Sequence, residues 1–298
     1  MTANAQRVVP DDLDGARLDR CVAALFSLPT ATARRLCEQG RVRVDDARQR
    51  KGDRVKAGAV VDVAGPDWFV AGAPAAVILR EDPDVVVVDK AAGVACHPLV
   101  PGEGSTVADA VVARFPEVRG AAIDEREAGL LHRLDTGTSG CLAFARSRAV
   151  WTSLRARFDD ADKTYLAIVQ GACSADVVDE AVAHDPGDPR RMRIDPAGRP
   201  ARTVITPLST TPGASLVRLE LHGGRRHQLR VHLAHRGHPL KGDALYDQGE
   251  DADDVDRGFF LHAWRLGLPR TAGAVVVVEA PLPARFVAKL RVLGLDVP

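Results

Sequence analysis

Apolar residues in the first seventy positions recur with two different spacings. Leu18, Val22 and Leu25 are three or four positions apart, which predicts an amphipathic helix. A second short helix is followed by Gly40, which favours a left-handed cap, and then by alternating basic and apolar residues typical of a strand with one wet face. The predicted elements are helices at 17–26 and 31–38 and strands at 41–46 and 60–63.

A segment rich in Gly and Pro at 65–74 predicts a linker, after which longer apolar runs begin. Strands are predicted at 85–88, 142–145, 165–169, 201–208, 216–221 and 274–279, and helices at 106–114, 148–158, 226–236 and 284–293. The strands do not alternate strictly with helices, which disfavours a doubly wound parallel sheet. Thr211-Pro212-Gly213 predicts a hairpin turn between two of them. The chain is therefore expected to be an α+β protein with a small domain at 1–70 and a larger one at 75–298.

Length and composition favour a cytoplasmic enzyme. The 298 residues suffice for one large domain and one small one, and no apolar stretch reaches membrane-spanning length. Residues 1–10 lack the apolar centre of a signal peptide. The five cysteines are widely spaced and include no Cys-x-x-Cys pair, which favours reduced thiols over a disulfide framework or a structural zinc site.

The net charge is zero, but the charges are segregated along the chain. Positions 17–56 hold a clear excess of Lys and Arg over Asp and Glu, and positions 221–241 hold basic residues and no carboxylate, whereas acidic residues crowd into 250–256. This distribution suits a protein with one phosphate-facing side, although two ordinary solvated faces would give the same pattern. The basic residues predicted to contact RNA are Arg34, Arg35, Arg41, Arg43, Arg225 and Arg226.

The candidate chemistry centres on the string His-Arg-Leu-Asp-Thr-Gly-Thr-Ser-Gly at 132–140, just before a predicted core strand. Read by itself, the string is a glycine-bearing turn in which Asp135 caps backbone amides. Its Asp-Thr-Gly core is also the signature of an aspartic protease, but that chemistry needs two carboxylates and no second such motif occurs in the chain.

The whole string closely resembles the catalytic motif of the RluA family of pseudouridine synthases. Further segments resemble that family in the same order: Asp-Lys-Ala-Ala-Gly-Val-Ala-Cys-His-Pro at 89–98, Lys-Thr-Tyr at 163–165, Gly-Arg-Arg-His-Gln-Leu-Arg at 224–230, Gly-His-Pro-Leu-Lys-Gly-Asp-Ala-Leu-Tyr at 237–246 and Leu-His-Ala at 261–263. Ala91 stands where the family usually has a proline, and Gly223 where a threonine is common. Several ordered matches are far more specific than one motif. The resemblance implies a curved, mainly antiparallel mixed sheet flanked by helices, with the active site in a cleft across it.

The first sixty-odd residues resemble an S4 RNA-binding domain. Two helices, a basic strand and a turn follow one another in the order typical of that domain. Thr30-Ala31-Thr32 replaces the usual Ser-Arg at the start of the second helix, which leaves that RNA contact open. The resemblance implies that the predicted domain 1–70 is a small α/β RNA-binding module.

The family resemblance also implies the chemistry of each site residue. Asp135 is expected to be the catalytic carboxylate, acting either as nucleophile or as the base that starts glycal formation. Arg133 would fill the gap left by a uridine flipped out of folded RNA, Tyr165 would stack on the uracil, and Leu261 would form an apolar wall. Arg230 would keep Asp135 ionised. Arg226 and Arg230 are four positions apart, which predicts that both face the same cleft.

The expected function is isomerisation of uridines in structured RNA, preferably ribosomal RNA, with transfer RNA as the other possible substrate. The expected protein is a monomer that needs no cofactor, metal or membrane. Four histidines between positions 227 and 238 suggest a zinc or nickel site, but no nearby Cys, Asp or Glu completes a ligand set. The main alternative is an RNA-binding assembly factor that kept the fold and lost the reaction. The presence of Asp135, Tyr165 and Arg230 together favours the enzyme.

Overall fold

The computed structural model describes residues 5–63, 68–70, 75–100, 102–247, 258–269 and 275–298. The chain divides into two compact units, Met1–Trp68 and Phe69–Pro298. The predicted linker at 65–74 lies outside the described residues except at 68–70, and the acidic run at 250–256 lies wholly outside them. No helix in the described part of the chain is both long and apolar enough to cross a membrane.

The N-terminal unit packs two helices on a small antiparallel sheet. Its elements are β1 (Ala5–Val8), α1 (Leu18–Leu25), α2 (Thr30–Glu38), β2 (Val42–Val44), β3 (Ala47–Arg48) and β4 (Val60–Val63), and the sheet order is β1-β4-β2-β3. Leu18 and Val22 are fully buried, as the helical spacing predicts, and Gly40 has the positive φ of 67° expected of a cap. Strands β1 and β3 were not predicted, because each is too short to produce a periodic signal.

The second unit is built around one large sheet. Its strands are β5 (Val77–Glu81), β6 (Val85–Lys90), β7 (Ser139–Ala145), β8 (Asp162–Gln170), β9 (Asp176–Asp179), β10 (Val182–His184), β11 (Met192–Ile194), β12 (Arg202–Thr211), β13 (Ala214–His222), β14 (Leu261–Pro269) and β15 (Val275–Glu279). Its α-helices are α3 (Val107–Arg114), α4 (Arg148–Ala156), α5 (Gln228–His235) and α6 (Ala284–Val292).

The strand order β5-β6-β7-β14-β8-β13-β12-β9 makes this sheet mixed, with β15 added beside β14. All its pairings are antiparallel except that of β7 with β14, where His262 lies opposite Ser139. The predicted hairpin is confirmed, since β12 and β13 pair from Thr211 and Ala214 onward. An α+β fold with a mainly antiparallel mixed sheet is therefore confirmed.

The central strands of the sheet are buried in the core. Every residue of β7 is buried, and so are all but the ends of β8. Trp151 of α4 packs over this core and donates its indole N–H to the carbonyl of Leu130 at 2.9 Å. On another part of the sheet, Phe286 and Leu290 of α6 cover Leu166 and Ile168. These layers give the loops at the strand ends a rigid base.

The predicted helix at 226–236 is wrong at its start. Helix α5 begins at Gln228, and the residue before it, His227, has a left-handed backbone with φ 54° and ψ 17°. Arg226 therefore precedes the helix and does not share a helical face with Arg230. The side chain of Arg226 is exposed and donates to the carbonyls of Pro189 (3.3 Å) and Arg190 (3.1 Å).

Candidate active site

Asp135 lies on the short loop that enters β7, and buried groups hold this loop from behind. Lys90, at the end of β6, is fully buried and donates to the carbonyls of Ala91 and Thr136, each at 3.0 Å. The N–H of Gly93 donates to the same Thr136 carbonyl at 2.8 Å. On the other side of Asp135, the thiol of Cys96 lies 3.2 Å from the carbonyl oxygen of Leu134. The segment at 89–98 therefore acts as a support for the Asp135 loop.

Two glycines of the 132–140 string allow other parts of the chain to approach. Gly140 has φ 109°, and a Cβ there would lie 2.3 Å from the carbonyl oxygen of Ala263 on β14. A Cβ on Gly137 would lie 2.8 Å from the ring of Phe259. Beside them, Ser139 Oγ bonds His262 Nδ1 at 2.9 Å. The pairing of β7 with β14 thus depends on the small residues in the string.

His132, the first residue of the string, has a structural position. Its ring stacks on Phe158 with centroids 4.9 Å apart, and its Nε2 accepts a hydrogen bond from the Ala143 N–H at 3.2 Å. Burial lowers the pKa of His132 to about 3, so the ring is neutral and can accept that bond. His132 therefore anchors the start of the loop to β7.

Arg230 is the residue that meets Asp135. Its Nη1 donates to Asp135 Oδ2 at 3.1 Å, and its Nε and Nη2 donate to the two oxygens of Asp243 at 2.7 Å each. The guanidinium also lies over the rings of Phe259 (4.5 Å) and Tyr246 (5.1 Å). Burial alone would lower the pKa of Arg230, but Asp243, and after it Asp135, raise it above its ordinary value. Arg230 is consequently a fixed cation bridging two carboxylates.

Gln228 holds the loop that leads into α5. Its side-chain oxygen accepts from the N–H groups of Gly224 (3.1 Å) and Arg225 (3.0 Å). Its side-chain nitrogen donates to the carbonyls of Arg202 and His222, both at 3.0 Å. A buried amide with all these partners fixes the backbone of the loop and so the direction of α5.

An open cleft of about 410 Å³ connects these elements. It is lined by Asp135 together with Arg133, Tyr165, Arg225, Arg230 and Leu261, and also by Leu134, Thr138, Leu221, Gly224, His227, Gln228 and Leu229. Arg133 is exposed, whereas Tyr165 and Leu261 are buried. Arg226 is not among the lining residues. Arg34, Arg35, Arg41 and Arg43 belong to the N-terminal unit, on or next to α2 and β2.

The phenol of Tyr165 is neutral in this cleft. Burial, followed by the charge of Asp135, raises the pKa of Tyr165 well above its ordinary value. Within the described part of the chain its hydroxyl has no hydrogen-bond partner. Tyr165 therefore presents an apolar ring and an uncommitted hydroxyl donor.

Several residues that shape this site were not assigned a role from the sequence. They are Lys90, His227, Asp243, Tyr246 and Phe259. All but Phe259 fall inside segments that carry the family resemblance. That resemblance was the only sequence feature that could have indicated them as site residues. Their roles depend on contacts across the fold, such as that of Asp243 with Arg230, and spacing does not reveal these.

The histidines near α5 are used in structural hydrogen bonds. His232 is fully buried and bonds Thr203 Oγ1 (2.9 Å) and the Glu180 carbonyl (3.0 Å), and His238 bonds the Gln170 carbonyl at 2.9 Å. Among the described residues, no group of three or more His, Cys, Asp or Glu side chains is arranged to hold a metal.

Asp135 is paired with a cation rather than with a second carboxylate. Asp243, the other carboxylate on Arg230, has 1% exposure and is occupied by two hydrogen bonds from that arginine. Two carboxylates sharing one proton, as an aspartic protease requires, are therefore not formed by this pair.

Comparison with known proteins agrees with this geometry. The model of the RNA pseudouridylate synthase family matches residues 84–235, and that of the S4 domain matches residues 16–61. An uncharacterized RNA pseudouridine synthase of Mycobacterium bovis is 34% identical, with 98% of each chain covered. The ribosomal large subunit pseudouridine synthase D of Nitrosomonas europaea is also 34% identical, covering 96% of this chain and 86% of the relative. The solved structure of human RNA pseudouridylate synthase domain containing 1 has a TM-score of 0.58 at 28% identity, covering 70% of this chain and 84% of the other.

The chain therefore belongs to the RNA pseudouridylate synthase family and carries an S4 domain at its N-terminus. It is an isomerase that converts uridine in RNA to pseudouridine. The prediction of an RluA-type enzyme with an S4 module is confirmed, and the catalytically inactive assembly factor and the aspartic protease are not supported.

Proposed function

We propose that Asp135 carries the isomerisation and that its Oδ1 is the reacting atom. Arg230 and His227 both approach Oδ2, at 3.1 and 3.9 Å, while Oδ1 has no hydrogen-bond partner among the described residues. The Asp135 side chain is 28% exposed, so a ligand in the cleft can reach it. A carboxylate that is held by one oxygen can use its other, open oxygen as a nucleophile or a base.

Two routes are open to Oδ1. It attacks C1′ of the ribose and releases uracil as an anion, or it removes the C2′ proton so that the N1–C1′ bond breaks to give a glycal. In both routes the uracil turns and its C5 bonds to C1′. In the first route this breaks the bond between Asp135 Oδ1 and C1′ and frees the carboxylate, and in the second route C2′ takes its proton back from Asp135. The C5 proton is then lost and N1 gains one, so the net reaction is an isomerisation with no redox step. No cofactor or metal is needed for this chemistry.

Arg230 would hold Asp135 in place, because its Nη1 donates to Oδ2 at 3.1 Å and leaves Oδ1 open. Because Arg230 is itself held by two bonds to Asp243, it presents a fixed charge rather than a mobile one. An arginine suits this task because its fork can serve both carboxylates at once.

The other cleft residues would bind the flipped nucleotide. Tyr165 offers its ring face to the uracil, and Leu261 lies beside it as an apolar wall. Arg133 is exposed at the cleft, where its planar guanidinium is suited to fill the gap that the flipped base leaves in the RNA.

The RNA itself would be held largely through phosphates. Arg34, Arg35 and Arg43 are exposed in the N-terminal unit and Arg41 is partly exposed, while Arg225 and Arg226 flank the cleft loop. Relatives of this chain are named for the large ribosomal subunit, so we propose ribosomal RNA as the substrate, modified in the cytoplasm by a monomer. Mapping pseudouridines in ribosomal and transfer RNA from cells with and without this protein tests the choice of substrate.

The decisive test of Asp135 is the substitution Asp135→Asn. The amide is neither nucleophile nor base, so tritium release from RNA carrying 5-tritiated uridine should be abolished while RNA affinity and fold are kept. Asp247→Asn is a control carboxylate outside the cleft lining. Activity of the Asp135 variant within tenfold of wild type would contradict the assignment of Asp135 as the reacting residue.

A further inference from the structure

His227 is a cleft residue that the proposed mechanism does not use. It occupies a left-handed backbone position that a non-glycine residue seldom adopts, with φ 54°, and its side chain is only 10% exposed. Its Nε2 lies 3.9 Å from Asp135 Oδ2, and its Nδ1 lies 3.0 Å from the hydroxyl of Tyr246. The imidazole therefore stands between Asp135 and a buried phenol.

The partners of Tyr246 determine which nitrogen of His227 carries the proton. The Tyr246 oxygen accepts the N–H of Met192 at 2.7 Å. The hydroxyl hydrogen then has one acceptor among the described residues, His227 Nδ1. A neutral imidazole that accepts at Nδ1 bears its proton on Nε2. The series Met192 N–H, Tyr246 O–H and His227 Nε2–H thus ends at Asp135.

The ring of Tyr246 has a second fixed function. The guanidiniums of Arg191 and Arg230 each lie 5.1 Å from its centroid, and it meets the ring of His227 edge-on at 5.7 Å. The phenol is therefore held in place by its ring, and removing the hydroxyl alone would leave those contacts.

We propose that His227 is a positioning residue for Asp135, and that Tyr246 holds it in the neutral Nε2–H form. Together with Arg230, this donor draws Asp135 Oδ2 to one side and leaves Oδ1 facing the substrate. The separation of 3.9 Å is longer than a hydrogen bond, so the proposal requires that it shorten when RNA fills the cleft.

The charges around His227 agree with a neutral donor. Burial lowers the pKa of His227 to about 4, although Asp135 and, more weakly, Asp243 oppose the shift, while Arg230 and Arg226 add to it. A neutral imidazole can donate to Asp135 Oδ2 without placing a second positive charge beside Arg230.

The test uses the full-length Tyr246→Phe variant with nitrogen-15-labelled histidine. In wild-type protein the His227 resonances, identified by their loss in His227→Gln, should report the neutral Nε2–H form from pH 6 to 8. In Tyr246→Phe the titration midpoint of His227 should rise toward the ordinary histidine value. The reason is that Nδ1 no longer accepts a hydrogen bond from the Tyr246 hydroxyl, which favours the neutral ring.

Turnover gives the second readout. Tyr246→Phe should lower kcat about threefold to tenfold at neutral pH, the effect of removing one hydrogen bond, with KM nearly unchanged. The acid limb of its kcat profile should move to higher pH. In the His227→Gln background the same Tyr246 substitution should leave the position of that limb unchanged, because the two residues act in series.

The matched control is Ser215→Ala. Ser215 is buried like Tyr246. Its hydroxyl also accepts a backbone N–H, that of Cys173 at 2.9 Å, and it donates to the Gly171 carbonyl at 2.8 Å. It should lose thermal stability as Tyr246→Phe does and keep the wild-type pH profile. If Tyr246→Phe behaves like this control, with His227 unchanged by NMR, the positioning role is overturned.

The inference rests on the proposed role of Asp135, but the two fail in different ways. An active Asp135→Asn variant would remove the proposed function while the state of His227 remained as measured. A wild-type His227 with its proton on Nδ1, or charged at pH 7, would overturn the inference even if Asp135→Asn were inactive.

Discussion

In the N-terminal unit the basic side chains lie at the surface, and in the cleft the central one is buried. The side chain of Arg34 is 58% exposed and pairs with Glu38 of the same helix at 3.4 Å, whereas that of Arg230 is 8% exposed and has Asp135, Asp243 and two aromatic rings around it. An exposed pair of this kind contributes little to stability and is easily exchanged for an interaction with a phosphate. A buried, fully satisfied guanidinium is fixed in one geometry. In the proposed function, the same residue type therefore serves a general attraction to RNA in one unit and a defined position in the other.

This contrast would be tested most severely by Arg230→Lys. The compact ammonium lacks the planar fork whose separate nitrogens reach Asp243 twice and Asp135 once, so both carboxylates lose partners. We expect kcat to fall by about 10³-fold, with RNA affinity little changed.

Arg236→Lys is the control for that variant. Arg236 follows α5 and pairs with Asp176 at 2.8 Å on a partly exposed surface, so its replacement should leave kcat near wild type. Circular dichroism and thermal melting check that both variants fold. Equal activities of the two variants would contradict the special position of Arg230.

Tyr165→Phe separates the ring from the hydroxyl within the cleft. If the hydroxyl takes part in removing the C5 proton, turnover should fall by about 10²-fold, the usual scale of general acid–base help. Tyr165→Leu should also lose the stacking face and weaken binding of the flipped nucleotide. Tritium release and RNA affinity are measured for both. Full activity of the Phe variant would reduce Tyr165 to an apolar wall.

Lys90 extends the comparison to stability, because it is a buried cation that donates its hydrogen bonds to backbone carbonyls. Burial lowers its pKa from 10.5 to about 8, although Cys96 and Asp135 oppose this. Between pH 8 and 10.5 the unfolded chain then binds more protons than the folded one, so the free energy of unfolding should rise with pH there and be flat with respect to Lys90 below pH 8.

The measurement is denaturant unfolding of wild type and Lys90→Met across that range. The difference between them should shift in favour of wild type by roughly 2–3 kcal/mol at the alkaline end. A difference that does not change with pH would mean that the pKa of Lys90 is the same in the folded and the unfolded protein.

The smallest effects are expected in the N-terminal unit. Replacing Arg34 and Arg35 by Gln should weaken RNA binding and lower the slope of log affinity against log salt by about 0.7 to 0.9 for each phosphate that is no longer neutralised. The rate at saturating RNA should not change. Arg291→Gln, an exposed arginine of α6, removes one charge from the other unit as a control. An unchanged salt slope in the Arg34 and Arg35 variant would mean that these residues do not contact RNA phosphates.

The sequence allowed the long elements to be predicted because their burial is periodic or continuous, as in β7 and α1. It did not reveal β14, since Gly and Pro interrupt its apolar pattern and its order comes from neighbours on both sides. The start of α5 was predicted too early because His227 has a left-handed backbone and the helix begins only after it. Nothing in the residue type indicates that conformation. The cleft residues were found through motif resemblance, whereas the bond between Arg230 and Asp243 depends on how the chain folds.

The parallel pairing of β7 with β14 has a consequence for the order of events during synthesis. Ser139 and His262, which bond each other, are 123 residues apart in sequence. Leu261 therefore reaches its place in the cleft with Asp135 only after all the residues between them have left the ribosome. The N-terminal unit, complete by Trp68, has all its strands and helices long before that. A nascent chain thus gains a module for holding RNA well before it gains the ability to modify it.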